Sequence, residues 1–209
     1  STRIERLMDT WMDSTGSVLP VRWMTSVPEN SWARSSVDAK PLSVRTSQLS
    51  AMGAILLGYD GRRMGSEPSV TVLNDSDALA EAAARLVVEA AAEAIAARGR
   101  FTVALAGGAT PRATYAKLAL PPFRDRVDWS RTWVFFGDER GVPPEHPDSN
   151  YGMAHATLLA KVPVPATQVR RIRAEAEDPE AAAAEYAKAL TEAFGTRRGK
   201  LPRFDLVLL

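Results

Sequence analysis

The stretch Phe101 to Pro111, FTVALAGGATP, constrains the fold of this chain more than any other. An apolar, β-rich run from Phe101 to Leu105 reads as a strand, and Gly107 and Gly108 read as a tight turn. Thr110 at the N-cap and Pro111 at the first helical position then open a helix. Glycines without Cβ let backbone N–H groups approach a ligand, and the start of a helix favours an anion, with phosphate the obvious guest. The competing reading is a strand-to-helix connection that needed two glycines for steric reasons alone. Neither of the two familiar nucleotide loops is present: no Gly-Lys-Ser/Thr follows at P-loop spacing, and the G-x-G-x-x-G pattern is missing.

Strand and helix signals alternate around this turn. Val70 to Leu73 predicts a short strand. From Asp75 a helical period places Leu79, Ala83, Leu86, Val87, Ala90 and Ala94 on one face, with Asp75 or Ser76 as N-cap and Gly99 as the stop. The helix after the glycines is expected to run to about Leu118 and to end at Pro121-Pro122. Thr132 to Phe136 predicts a buried central strand that runs straight into Gly137-Asp138-Glu139-Arg140. Charged residues at the C-terminal end of a parallel strand lie where open α/β sheets bind ligands. Asp138 is therefore assigned to orient or polarise a reacting group, and Arg140 to a substrate anion through its forked donors. The alternative is a solvated turn with a local ion pair.

A stiff loop holding Pro143, Pro144 and Pro147 follows. Ser149 is a good N-cap for the next helix, and Ser149 with Asn150 can direct hydroxyl and amide groups at a polyhydroxylated ligand. His146 and His155 read as surface or packing residues. Val169 to Ile172 predicts a short strand, flanked by a basic cluster of Arg170, Arg171 and Arg173 for which a solvated face is favoured over a phosphate contact. Asp178-Pro179 caps a long helix closing near Phe194-Gly195, and Phe204 to Leu209 predicts a last buried strand.

The 209 residues, 45% apolar, suffice for one good-sized core. The sequence divides into an N-terminal extension, 1–63, and an α/β domain, 64–209, with an open, mostly parallel Rossmann-like sheet flanked by helices. In the extension, Leu7, Met8, Trp11 and Met12 suggest a short amphipathic turn, and Met52 to Leu57 a strand or a buried helical turn. Beyond them the segment is expected to be irregular. Its tryptophans, Trp11, Trp23 and Trp32, suggest packing on something else, with a partner protein as one reading. A net charge of +1 argues against an electrostatic nucleic-acid binder, and the lack of cysteine with only two histidines makes a metal site improbable. No apolar run reaches the length of a membrane span and no secretion signal opens the chain, so a cytoplasmic protein with no membrane partner is expected.

LAGGATP, FFGDER, HPDSNYGM and LPRFDLVLL, in this order and at these separations, resemble the 6-phosphogluconolactonase family over roughly Val70 to Leu209. The related aminosugar-6-phosphate isomerases/deaminases share the fold and the phosphate loop, but typically carry Tyr after the Asp-Glu pair. Arg140 and Asp148-Ser149-Asn150 favour the lactonase. The resemblance implies hydrolysis of 6-phospho-D-glucono-1,5-lactone to 6-phosphogluconate in the pentose phosphate pathway, with no metal or organic cofactor. It implies that Gly107, Gly108 and Thr110 anchor the phosphate, Arg140 adds charge, and Asp138 orients the base or the water. Ser149 and Asn150 would position neighbouring loops or sugar hydroxyls. The general base is expected to be a His in a G-x-G-x-D-G-H-T segment beyond Leu209, so the domain is expected to be C-terminally incomplete. An aminosugar-6-phosphate isomerase/deaminase and a non-catalytic phosphosugar-binding or assembly module are the alternatives.

Overall fold

The computed structural model describes residues 69–196 and 202–208, together with the backbone of two short upstream strands. These strands, β1 (Trp23–Thr25) and β2 (Ala54–Gly58), join β3 (Ser69–Leu73) in an antiparallel sheet ordered β1-β2-β3. The expected strand at Val70–Leu73 therefore forms, but pairs with upstream residues: Val72 faces Ile55 and Val70 faces Leu57. Of the two readings of Met52–Leu57, the strand is the one that forms, as β2, and with β1 it brings regular structure before Met64 into an extension otherwise expected to be irregular. The pattern around Leu7–Met12, together with Trp11 and Trp32, lies outside the described residues.

The sheet that matters for the site is separate and parallel. Helix α1 (Ser76–Arg98) starts where the Asp75 carboxylate accepts the Ala78 N–H at 2.8 Å, and stops at Gly99, whose φ of 76° few other residues adopt readily. Strand β4 (Phe101–Leu105) follows, then α2 (Ala109–Leu118), β5 (Thr132–Phe136), α3 (Asn150–Thr157), α4 (Pro179–Phe194) and β6 (Leu206–Val207). The order is β5-β4-β6, with β4 in the centre. Asp205 fixes the register of β6: its carboxylate accepts the Thr102 N–H and hydroxyl, each at 2.7 Å, and pairs with Arg98. The strand expected at Val169–Ile172 is reduced to one parallel bridge, Val134 to Val169, extended by the Arg170 N–H donating to the Val134 carbonyl. Arg170 stays against β5, its guanidinium over the Trp133 ring, while the Arg171 side chain turns to Glu175.

Alternation along the strands explains why the sheet is covered on both faces. Phe101, Val103, Leu105, Val134 and Phe136 enter the core beneath α1, α2 and α3. Ala104 and Phe135 enter a smaller core with Tyr186 and Leu190 of α4 and Phe204. Phe135, Phe194 and Phe204 meet tilted or edge to face, with centroids 4.8–5.4 Å apart. A fully buried ring such as that of Phe135 contributes about 1.5–3 kcal/mol by its burial, and the half-buried Phe194 less. Among the described residues, both cores draw their buried side chains from residue 79 onward, while β2 also contacts α1 and β1 contacts α2. We propose, on the alternation of strand and helix that runs on from Val70, a domain boundary near Met64. A chain beginning there is expected to unfold in one cooperative transition, followed by circular dichroism. Loss of that transition would place β1 and β2 inside the domain.

Candidate functional site

Parallel pairing brings the ends of β4 and β5 into register, Leu105 opposite Phe136, and the Gly137 N–H donates to the Leu105 carbonyl at 2.9 Å. The glycine turn and the Asp138-Glu139-Arg140 segment therefore leave the sheet side by side, at the carboxyl edge where open α/β sheets hold ligands. Strand β6 runs parallel to β4 and reaches the same edge.

The glycine turn differs in detail from the sequence expectation. Gly108, not Thr110, is the N-cap of α2; its φ of 100° is a conformation that L side chains rarely adopt, and no side chain caps the helix. The helix starts at Ala109, so Thr110 lies inside the first turn and Pro111 is the third helical residue rather than the first. The preference of Thr for caps and of Pro for first positions is overridden by a turn only glycine makes easily. The Thr110 side chain is buried, and its carbonyl accepts the Thr114 hydroxyl. Beneath the turn, the Tyr115 hydroxyl accepts the Ala106 N–H at 3.0 Å and donates to the Ala106 carbonyl at 2.9 Å. Tyr186 makes the same pair of bonds with Phe136. Burial pushes both hydroxyls well above the usual tyrosine range; the bond to Ala106 opposes this in Tyr115, and the charge of Asp138 adds to it.

Across the edge, Glu139 organises the start of α3. It is 5% exposed. One carboxylate oxygen accepts the N–H groups of Arg140 (2.8 Å) and Asn150 (2.7 Å), the other the Tyr151 N–H (2.8 Å) and the Ser149 hydroxyl (3.4 Å). Ser149 is the N-cap, as expected, accepting the Gly152 N–H at 2.9 Å. The first three amides of α3 are thus all satisfied from within the chain, and the helix dipole is matched by a carboxylate. Ser149 is buried in this network, turned toward Glu139 and the helix rather than toward a ligand.

Asn150 joins the two halves of the site. Its amide nitrogen donates to the Asp138 carbonyl at 3.2 Å, and its side-chain oxygen lies so close to Gly107 that a Cβ there would come within 1.8 Å. Arg140 and Asp138 stand at the surface. The Arg140 Nε is 3.9 Å from an Asp138 carboxylate oxygen, with the arginine side chain 61% exposed. A pair this open is worth about 0–1 kcal/mol, so Arg140 gives up little when it turns to another anion.

The other candidates are engaged elsewhere. Arg171 makes two bonds to Glu175 and lies over the Tyr151 ring, Arg170 lies over Trp133, and Arg173 reaches Glu185. The bond to Glu175 raises the Arg171 pKa and lowers that of Glu175. His146 sits in the proline loop, its Nδ1 accepting the Asp148 N–H, and the His155 ring lies 5.7 Å from Tyr151 within α3. Among the described residues no three His, Asp or Glu side chains gather as a metal ion would require, and no helix is long and apolar enough to cross a membrane.

Residues 74–209 match the family model described as glucosamine-6-phosphate isomerases/6-phosphogluconolactonase. A 6-phosphogluconolactonase from a Nostoc species is 38% identical over 141 residues, 68% of this chain and 57% of that protein. One from a Synechocystis species is 40% identical over 142 residues, 68% of this chain and 58% of that protein. The chain thus spans less than two thirds of these relatives. Among solved structures, 6-phosphogluconolactonase from Trypanosoma cruzi superposes with a TM-score of 0.56 at 27% identity, over 65% of this chain and 55% of that one. The Trypanosoma brucei enzyme gives 0.51 at 32% identity, over 64% and 56%. With residues 74–209, well over half of its length, matching that family's model, the chain belongs to the glucosamine-6-phosphate isomerase/6-phosphogluconolactonase family.

Proposed function

We propose that the protein hydrolyses 6-phospho-D-glucono-1,5-lactone to 6-phosphogluconate, acting in the cytoplasm. The observation that carries this reading is a contrast between two helix starts at one sheet edge. The start of α3 is filled by the Glu139 carboxylate, whereas the start of α2, opened by Gly108, has no side-chain cap. An incoming phosphate finds donors and a favourable dipole at the second and a negative charge at the first. Arg140, at the rim with only a weak tie to Asp138, adds a mobile positive charge. The relatives named 6-phosphogluconolactonase favour the lactonase over the aminosugar branch, as does Arg140, where the resemblance implies Tyr in the isomerases.

In the hydrolysis, water attacks the lactone carbonyl carbon, a base takes the water proton, and the ring C–O bond breaks as the ring oxygen is protonated. Anchoring the phosphate holds the carbonyl in place for this attack, and Asp138 orients the water or the base that activates it. Whatever follows β6 emerges at the same edge as the glycine turn, which is where the resemblance puts the base-bearing segment. The test is calorimetric titration with 6-phosphogluconate, a stable product. Arg140→Met is expected to weaken binding by about tenfold or more, as loss of a charge-assisted hydrogen bond does. Coupled assays of lactone hydrolysis and glucosamine 6-phosphate deamination complete it. Failure of the folded protein to bind 6-phosphogluconate, or deamination in place of hydrolysis, would overturn the reading.

A further inference from the structure

We propose that Glu139 is a positioning residue that sets the shape of the glycine turn through Asn150, an inference that rests on reading that turn as the phosphate cradle. Glu139 itself makes no hydrogen bond to the turn. Its influence runs through α3: two of its bonds hold the backbone N–H groups of Asn150 and Tyr151, and these place the Asn150 side chain. That side chain is wedged between the Asp138 carbonyl and Gly107, with no room on the glycine side even for a methyl group. A shift in the first turn of α3 is therefore transmitted to Gly107 by contact. The same carboxylate holds the Arg140 N–H, so one buried group fixes both the wall that carries Arg140 and the floor that carries the glycines.

The four donors leave no acceptable place for an amide. In Glu139→Gln the new NH₂ meets either the Arg140 and Asn150 N–H groups or the Tyr151 N–H beside a Ser149 oxygen that already accepts from Gly152. One first-turn amide of α3 loses its acceptor in either orientation, and buried donors left unpaired force a local shift. Glu139→Asp keeps both acceptor oxygens on a shorter stem and preserves part of the network.

The experiment compares wild type, Glu139→Gln, Glu139→Asp, Asn150→Ala and the Glu139→Gln/Asn150→Ala double variant. It reads 6-phosphogluconate affinity by calorimetry and the amide resonances of Gly107 and Gly108 by NMR. Glu139→Gln is expected to weaken binding about tenfold or more and to move both glycine resonances, with Glu139→Asp between it and wild type. In the Asn150→Ala background the further movement of the glycine resonances should vanish, because the linking side chain is gone, whereas an affinity loss that runs through the Arg140 N–H persists. Wild-type affinity with unmoved glycine resonances in folded Glu139→Gln overturns the proposal, as does a glycine movement that simply adds to that of Asn150→Ala. Should Glu139→Gln not fold, Glu139→Asp decides by the same two readouts. Should the wild type not bind 6-phosphogluconate, the functional reading fails, and the glycine resonances alone decide whether Glu139 shapes the turn.

Discussion

Replacing Gly107 by Ala is expected to reduce 6-phosphogluconate affinity by about a hundredfold or more, corresponding to roughly 2.7 kcal/mol, and to lower stability as well. The new Cβ would lie 1.8 Å from the Asn150 side-chain oxygen and 2.5 Å from its carbon, distances at which one group must leave. Asn150 has nowhere easy to go, being 4% exposed and bonded through its amide to the Asp138 carbonyl. Overpacking of this kind costs about 1–3 kcal/mol, and the displaced turn no longer presents its amides to a phosphate. Gly108 supplies the contrast. There a Cβ meets nothing closer than 3.9 Å, so alanine brings no clash, only the strain of a φ of 100° with ψ of 172°, a region nearly confined to glycine, on the order of 1–3 kcal/mol. The control is Asn150→Ala combined with Gly107→Ala. If the clash is the cause, removing the Asn150 side chain should restore much of the stability that Gly107→Ala loses, measured by urea denaturation. Equal instability with and without Asn150 would show that the turn, not the contact, is what alanine disturbs.

The fold was legible wherever one local signal decides. An Asp before a helical period and a Gly after it bound α1, and a run of β-branched and aromatic residues makes β5. Ser149 caps α3 because a short hydroxyl side chain can reach back to a first-turn amide without help from elsewhere. Where the outcome depends on distant partners, the sequence was silent or misleading. Thr110-Pro111 reads as a helix start, but Gly108 can take a positive φ and begins the helix earlier. Val70–Leu73 reads as a short strand of the domain that begins near Met64, yet its pairing partner is the upstream Ala54–Gly58. Glu139 reads as one charge in a solvated turn, and only the return of the chain ten residues later gives it three of its four donors. The signal was present as two halves, an acidic residue at a strand end and a Ser-Asn helix start. Nothing in their spacing says that they meet.

The tyrosines that brace this edge were equally invisible to sequence, and they set up the largest expected stability effect. Each closes a buried residue at the end of a strand where ladder pairing stops: Tyr115 takes both backbone groups of Ala106, and Tyr186 both of Phe136. Tyr115→Phe keeps the ring and leaves an N–H and a carbonyl without their partner, at about 1–3 kcal/mol each. A loss of roughly 2–6 kcal/mol is therefore expected, a large fraction of what a domain commonly has. Since Ala106 adjoins Gly107, binding of 6-phosphogluconate should weaken with it. Alkaline titration tests the same clamps without ligand. Because burial raises both tyrosine pKa values, the unfolded chain releases these protons from about pH 10 upward while the folded chain holds them. The unfolded state then binds fewer protons than the folded one, so stability present below pH ~10 falls as pH rises. The slope is about 1.4 kcal/mol per pH unit for each clamp. Lys117, whose pKa is raised by Asp77, shifts in the same direction but equally in every variant, so it cancels in the comparison. Urea midpoints between pH 9 and 11 should fall along two slopes in the wild type and along one in Tyr115→Phe or Tyr186→Phe. An identical pH dependence in all three proteins would mean that neither hydroxyl stays protonated in the fold, and that Ala106 and Phe136 are held by something else.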